Sequence, residues 1–150
     1  MKSLKNNAVI QPVQTTELPL LAELWEASVR ATHDFLLEED ILFYRPFVVN
    51  EYLPAANLYV VREEGKPLAF IGISGKEIET LFVHPDARGK GYGKRLLEFA
   101  VDKFGADKVD VNEQNEQAVG FYRRMGFDVV GRDETDGYGK PFPILHLKLK

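Results

Sequence analysis

Two stretches of this chain carry side chains arranged for binding or catalysis. The first is Arg88-Gly89-Lys90-Gly91-Tyr92-Gly93-Lys94. Glycines at alternate positions let the backbone approach a ligand closely and turn its N–H groups one way. A helix starting just after them would add its own unpaired amides and the positive end of its dipole. A phosphate or pyrophosphate suits such a place, although a tight strand-to-helix turn would use the same glycines. Lys90, Tyr92, Lys94 and Arg95 either support an anion's charge or form a solvated helix start. The second stretch runs from Asn115 to Tyr122. On a helix, Asn115, Ala118, Val119 and Tyr122 share one stripe, so an amide and a phenol two turns apart face the same neighbour. The plainer reading is that Asn115 caps the helix, Val119 and Tyr122 pack in the core, and Gly126 closes the helix.

Neither of the two commonest phosphate motifs is present. A Walker loop ends in Gly-Lys followed by Ser or Thr, whereas Gly89-Lys90 is followed by Gly91 and Gly93-Lys94 by Arg95. That disfavours a nucleotide-phosphate enzyme. A dinucleotide fingerprint spaces its glycines G-x-G-x-x-G, and here the spacing is G-x-G-x-G.

The elements that must hold these stretches are legible from periodicity. Residues 78–83 alternate and read as a strand leading into the glycine loop. From Lys94, the residues Leu96, Leu97, Ala100, Val101 and Phe104 fall on one helical face that ends at Gly105. Upstream, 8–13 is expected as a short strand. An amphipathic helix over 17–32 and a second, less regular one over 38–52, kinked near Pro46, should follow it. Strands over 58–62 and 68–74 flank Glu63-Glu64-Gly65-Lys66-Pro67 as a hairpin. Downstream, 108–112 is a strand, 115–125 a helix, and 127–131 and 143–149 the last strands. Strand, helix, strand implies a parallel crossover.

With 150 residues, 45% of them hydrophobic, one domain with a substantial core is expected over 1–150. The net charge of −4 argues against a nucleic-acid grip and suits a cationic amine. There is no cysteine, which removes thiolate nucleophiles, disulfides and Cys-based zinc sites. No apolar run approaches the roughly twenty residues of a membrane span or forms a leader, so a cytoplasmic protein with no membrane partner is expected.

The glycine stretch, opened by Arg88 and preceded by Val83-His84-Pro85-Asp86, resembles the R/Q-x-x-G-x-G/A signature of the GNAT family of acyl-CoA-dependent N-acetyltransferases. Asn115-x-x-Ala118-x-x-x-Tyr122 with Gly126-Phe127 resembles the family's second signature, in family order and spacing. The likeness covers essentially the whole chain. Residues 31–36, 111–122 and 139–147 look like one bacterial subgroup of that family.

The resemblance implies an α/β fold in GNAT topology: a mixed, mostly antiparallel splayed sheet with helices on both faces. It implies acetyl-CoA as co-substrate and no metal. Coenzyme binding would fall to Arg88, Gly89, Lys90, Gly91, Tyr92, Gly93 and Lys94 at the pyrophosphate. Leu81, Phe82 and Val83 would pair with the pantetheine arm, and Asn115 would also touch the coenzyme. Tyr122 would be the general acid beside the thioester sulfur. An alkylamine of pKa about 10.4 is neutral only about 0.04% of the time at pH 7, so a base is needed. Glu79, which strict alternation puts on the face of Leu81 and Val83, is the first candidate, and His33 the second. His84 reads as a turn residue, and His146 alternates with core positions. The acceptor, a small-molecule or peptide amine, would be chosen by residues 33–52 and by the loop 133–141, from which Asp136 and Tyr138 reach toward it. A catalytically silent coenzyme A-binding module of the same fold is the alternative, and either a monomer or a homodimer is compatible with it.

Overall fold

The computed structural model describes residues 9–150, so residue 8 of the expected first strand lies outside the described residues. Seven strands form one sheet: β1 (Ile10–Pro12), β2 (Asn57–Glu63), β3 (Lys66–Ser74), β4 (Glu77–Val83), β5 (Lys108–Asn112), β6 (Phe127–Asp133) and β7 (Ile144–Leu149). Their order is β1-β2-β3-β4-β5-β7-β6. Every neighbouring pair is antiparallel except β4 and β5, the pair joined through a helix. Glu64 and Gly65, with φ of 53° and 77°, make the hairpin turn between β2 and β3.

Among the described residues, the four longest helices cover the sheet: α1 (Leu18–Thr32), α2 (Glu38–Phe47), α3 (Tyr92–Phe104) and α4 (Glu116–Arg124). On one face, Leu21, Trp25 and Val29 of α1 and Ile41 of α2 pack with Val60 and Phe70. On the other, Leu96, Leu97 and Ala100 of α3 and Tyr122 of α4 pack with Val61, Ile71, Val109 and Leu147. At the place where a kink is expected the helix changes type instead: α2 runs one residue past Pro46, then widens into a π-helical turn, Val48–Tyr52. Pro46 offers no amide to the preceding turn, which loosens the ladder there. The N–H of Leu53 accordingly reaches back five residues to the carbonyl of Val48.

Two features of β4 shape everything built on it. Its parallel pairing with β5 extends only over Glu77 with Lys108 and Ile78 with Val109, after which the two strands part. Against β3, Ile73 faces Ile78 and Gly72 faces Thr80, so Glu79 is an extra, bulged residue.

Candidate active site

Where β4 and β5 part, a cavity of about 440 Å³ opens. Leu81, Phe82 and Val83 of β4 form one wall, and Asn115 and Tyr122, from the cap and body of α4, form the opposite one. The glycine loop closes one end and the C-terminus of α1, with Ser28, Thr32 and His33, lines the cavity as well. Beyond Ile78, β4 has no strand partner on this side among the described residues, which leaves a free edge of backbone donors and acceptors.

The glycine loop has the backbone expected of an anion cradle. Gly89 and Gly91 adopt φ of 83° and 82°, and a Cβ at either would meet no heavy atom within 4 Å. Left-handed backbone rather than crowding therefore requires glycine there, and the surface above the loop stays open. Gly91 immediately precedes α3, whose first amides have no intrahelical partner. Arg88 and Lys94 both line the cavity, and Arg88 is steadied by donating from Nη2 to the side-chain oxygen of Gln117. Arg124 lines the cavity too, and backbone amides, a free strand edge and these three cations suit a long ligand bearing phosphates and an amide-containing arm.

Tyr122 is 5% exposed and makes no hydrogen bond with another described residue. Burial alone pushes its phenol above the usual range, so it stays protonated at any ordinary pH. Asn115 both caps α4, accepting from the amide of Ala118 at 3.3 Å, and lines the cavity, so its structural and binding readings coexist. His33 closes α1, with Nδ1 2.7 Å from Thr32 Oγ1 and its ring 5.3 Å from that of Phe35. Burial holds its pKa down to about 4, and it is neutral at pH 7.

The structure corrects the expectation for three residues. Glu79 is absent from this cavity. The bulge shifts the alternation of β4, so Glu79 joins Thr80 on the opposite face, where Tyr52 Oη lies 3.4 Å from its Oε1. Lys90 is also absent from the lining, because its Nζ lies 3.2 Å from Glu63 Oε2 at the end of β2. Tyr92 lines the cavity at the loop, but its ring is only 1% exposed, and its hydroxyl donates to the same Glu63 carboxylate. Burial, with that bond second, pushes the Tyr92 phenol up to about 12. These two side chains thus anchor the loop to the β2–β3 hairpin.

Asp136 is likewise spoken for. It accepts from the hydroxyl of Tyr44 and, at 2.9 Å each, from the amides of Tyr138 and Lys140. It staples its own loop instead of reaching a ligand. Ser28, Thr32, Gln117 and Phe121 line the cavity without having been singled out from sequence. Gln117 and Phe121 lie on the already recognised 115–122 helix, whereas Ser28 and Thr32 could be found only from α1's packing across β4.

Comparison with known proteins gives the same picture. Residues 54–129 match the family described as "Acetyltransferase (GNAT) domain". The chain is 47% identical over 131 residues to the peptidyl-lysine N-acetyltransferase YjaB of Escherichia coli, spanning 85% of this chain and 86% of that protein. It is 44% identical over 135 residues to YjaB of Salmonella typhimurium, at 85% and 88% coverage. The solution structure of apo-form YjaB from Escherichia coli superposes with a TM-score of 0.87 at 42% identity, covering 93% of this chain and 95% of that one. Fold, paired motifs and relatives agree that this chain belongs to the GNAT family of N-acetyltransferases.

Proposed function

We propose that this chain is a single-domain, acetyl-CoA-dependent acetyltransferase whose acceptor is a primary amine of the lysine side-chain type. The observation that carries the reading is one cavity holding the glycine loop, the free edge of β4, Asn115 and a buried, unpartnered phenol. The acceptor class is supported by the 85% of the chain that aligns with relatives named peptidyl-lysine N-acetyltransferases. Gly89, Gly91, Gly93, Arg88 and Lys94 hold the coenzyme pyrophosphate, Leu81 to Val83 offer backbone to the pantetheine arm, and Asn115 contacts the coenzyme.

In this mechanism the ammonium first gives up a proton, and the amine lone pair then forms a bond to the thioester carbonyl carbon. As the tetrahedral adduct collapses, the C–S bond breaks and its electron pair leaves on sulfur. Tyr122 donates its phenolic proton to that thiolate and is restored by the proton released from the attacking nitrogen. The products are the acetamide and free coenzyme A thiol, with one proton passed to solvent. Glu79, on the far face of β4, takes the ammonium proton through water. His33, neutral and with a pKa near 4, is a wall of the site and a poor acceptor for a proton held at about 10.4.

The test is calorimetric titration with acetyl-CoA, followed by thiol release across an amine and lysine-peptide library. Binding with amine-dependent release is the expected result. Binding without release for any amine would leave a coenzyme-binding module instead.

A further inference from the structure

The glycines that shape the anion cradle also leave it loose. Gly89 and Gly91 lie in left-handed backbone, and among the described residues nothing stands where their side chains would be. Glycine loses more conformational freedom on being fixed than any other residue, so a glycine loop ordered only by its ligand holds that ligand weakly. Order supplied by the fold beforehand removes this cost.

The fixed point of the loop is Tyr92, which lies between Gly91 and Gly93 and opens α3. Its ring belongs to the same buried cluster as Val61 and Leu96, and its hydroxyl donates to a carboxylate oxygen of Glu63, twenty-nine residues away. Lys90, on the other side of Gly91, reaches the same carboxylate, with Nζ 3.3 and 3.2 Å from its two oxygens. The two pairings are unequal. Lys90 and Glu63 are both partly in water, where an ion pair contributes little, whereas Tyr92 is almost wholly out of it and makes a charge-assisted bond there.

Glu63 is a firm post for that bond. It is the last residue of β2 and pairs with Lys66 across a two-residue turn. Arg62 beside it forks onto Glu17 with two contacts of 2.7 Å, which ties the end of β2 to the start of α1. Glu63 is absent from the lining of the cavity, so its route to a ligand there runs through Tyr92. We infer that Glu63 is a positioning residue for the coenzyme: by holding the Tyr92 hydroxyl it keeps the glycine loop in the shape that receives the pyrophosphate, and so sets coenzyme affinity without touching it. This rests on the transfer reading above.

The test titrates coenzyme A by calorimetry into wild type, Glu63→Ala, Glu63→Gln, Tyr92→Phe and the double variant Glu63→Ala/Tyr92→Phe. Glu63→Ala and Tyr92→Phe should each raise Kd about tenfold. The double variant should bind no more weakly than the more affected single one, because both changes remove the same bond. Glu63→Gln, whose amide oxygen still accepts from the phenol, should stay within about threefold of wild type. In thiol release with Nα-acetyllysine methylamide as acceptor, the loss in Glu63→Ala should fall on the acetyl-CoA KM with kcat little changed. S-acetylpantetheine, which lacks the pyrophosphate, should serve wild type and Glu63→Ala equally well. Wild-type affinity in Tyr92→Phe, or an equal loss with both donors, would overturn the inference and leave the transfer reading standing. Coenzyme A binding by wild type without acetylation of any amine would defeat the transfer reading alone, since the calorimetric comparison still decides the anchor. A wild type that binds no coenzyme A would sink both.

Discussion

Tyr122 is the side chain on which the proposed chemistry depends most. Its phenol is buried without a partner, so Tyr122→Phe removes only a proton donor and leaves the packing among Phe121 and Phe127 nearly intact. We expect kcat to fall by about 10²-fold or more, with the acetyl-CoA KM little changed, in steady-state thiol release. The two loop lysines should separate just as cleanly. Lys94 lines the cavity, whereas Lys90 is paired with Glu63. Lys94→Ala should weaken coenzyme A binding several-fold and flatten its dependence on salt, while Lys90→Ala should leave both nearly unchanged by calorimetry. Sequence ranked these lysines together because neighbours in a loop look alike. The carboxylate that claims Lys90 is twenty-seven residues away and becomes its partner only through the β2–β3 hairpin.

Strand β4 shows where periodicity stops being a guide. Its existence, its limits to within a residue and the helix that follows the glycine loop were all legible, because alternation and the three-to-four repeat are local properties. The bulge at Glu79 is a property of pairing with β3, and it moves a carboxylate to the other side of the sheet without altering the sequence pattern. The same neighbourhood makes Gly72 sensitive. A Cβ there would stand 2.1 Å from Tyr52 Oη and 2.7 Å from Thr80 Oγ1. Gly72→Ala should therefore push Tyr52 off the strand and cost about 1–3 kcal/mol in chemical denaturation. The aromatic cluster of α2 and the β6–β7 loop was only half legible: the two segments could be named as pocket-forming, but not that Asp136 would be consumed in holding the loop.

The molecule as a whole should show opposing responses to pH from two histidines. His146 on β7 bridges Asp110 on β5, at 2.6 Å, and Asp133 on β6, at 2.9 Å. Those two carboxylates raise its pKa in the folded state. Its contribution is thus fully present below the unfolded value of about 6.5 and is lost as pH rises through the raised one. His33 has the opposite sign. Its folded pKa, near 4, lies below the unfolded value, so stability falls as pH drops from about 6.5 toward 4. Denaturation series on His146→Gln should remove the loss on the alkaline side only, and on His33→Gln the loss on the acid side only.

The parting of β4 from β5 also divides the sheet into a four-stranded and a three-stranded half, joined edge to edge through a short seam at Lys76–Ile78 and Asp107–Val109. The chain passes between the halves once through the sheet's middle, by way of α3. A sheet with so short a seam need not breathe as one body. Amide hydrogen exchange should find the two halves opening with separate free energies, the β5–β7–β6 half being the smaller cooperative unit. A ligand lodged along the free edge of β4 would lace that seam, slowing exchange on both sides of it, well beyond the residues it touches.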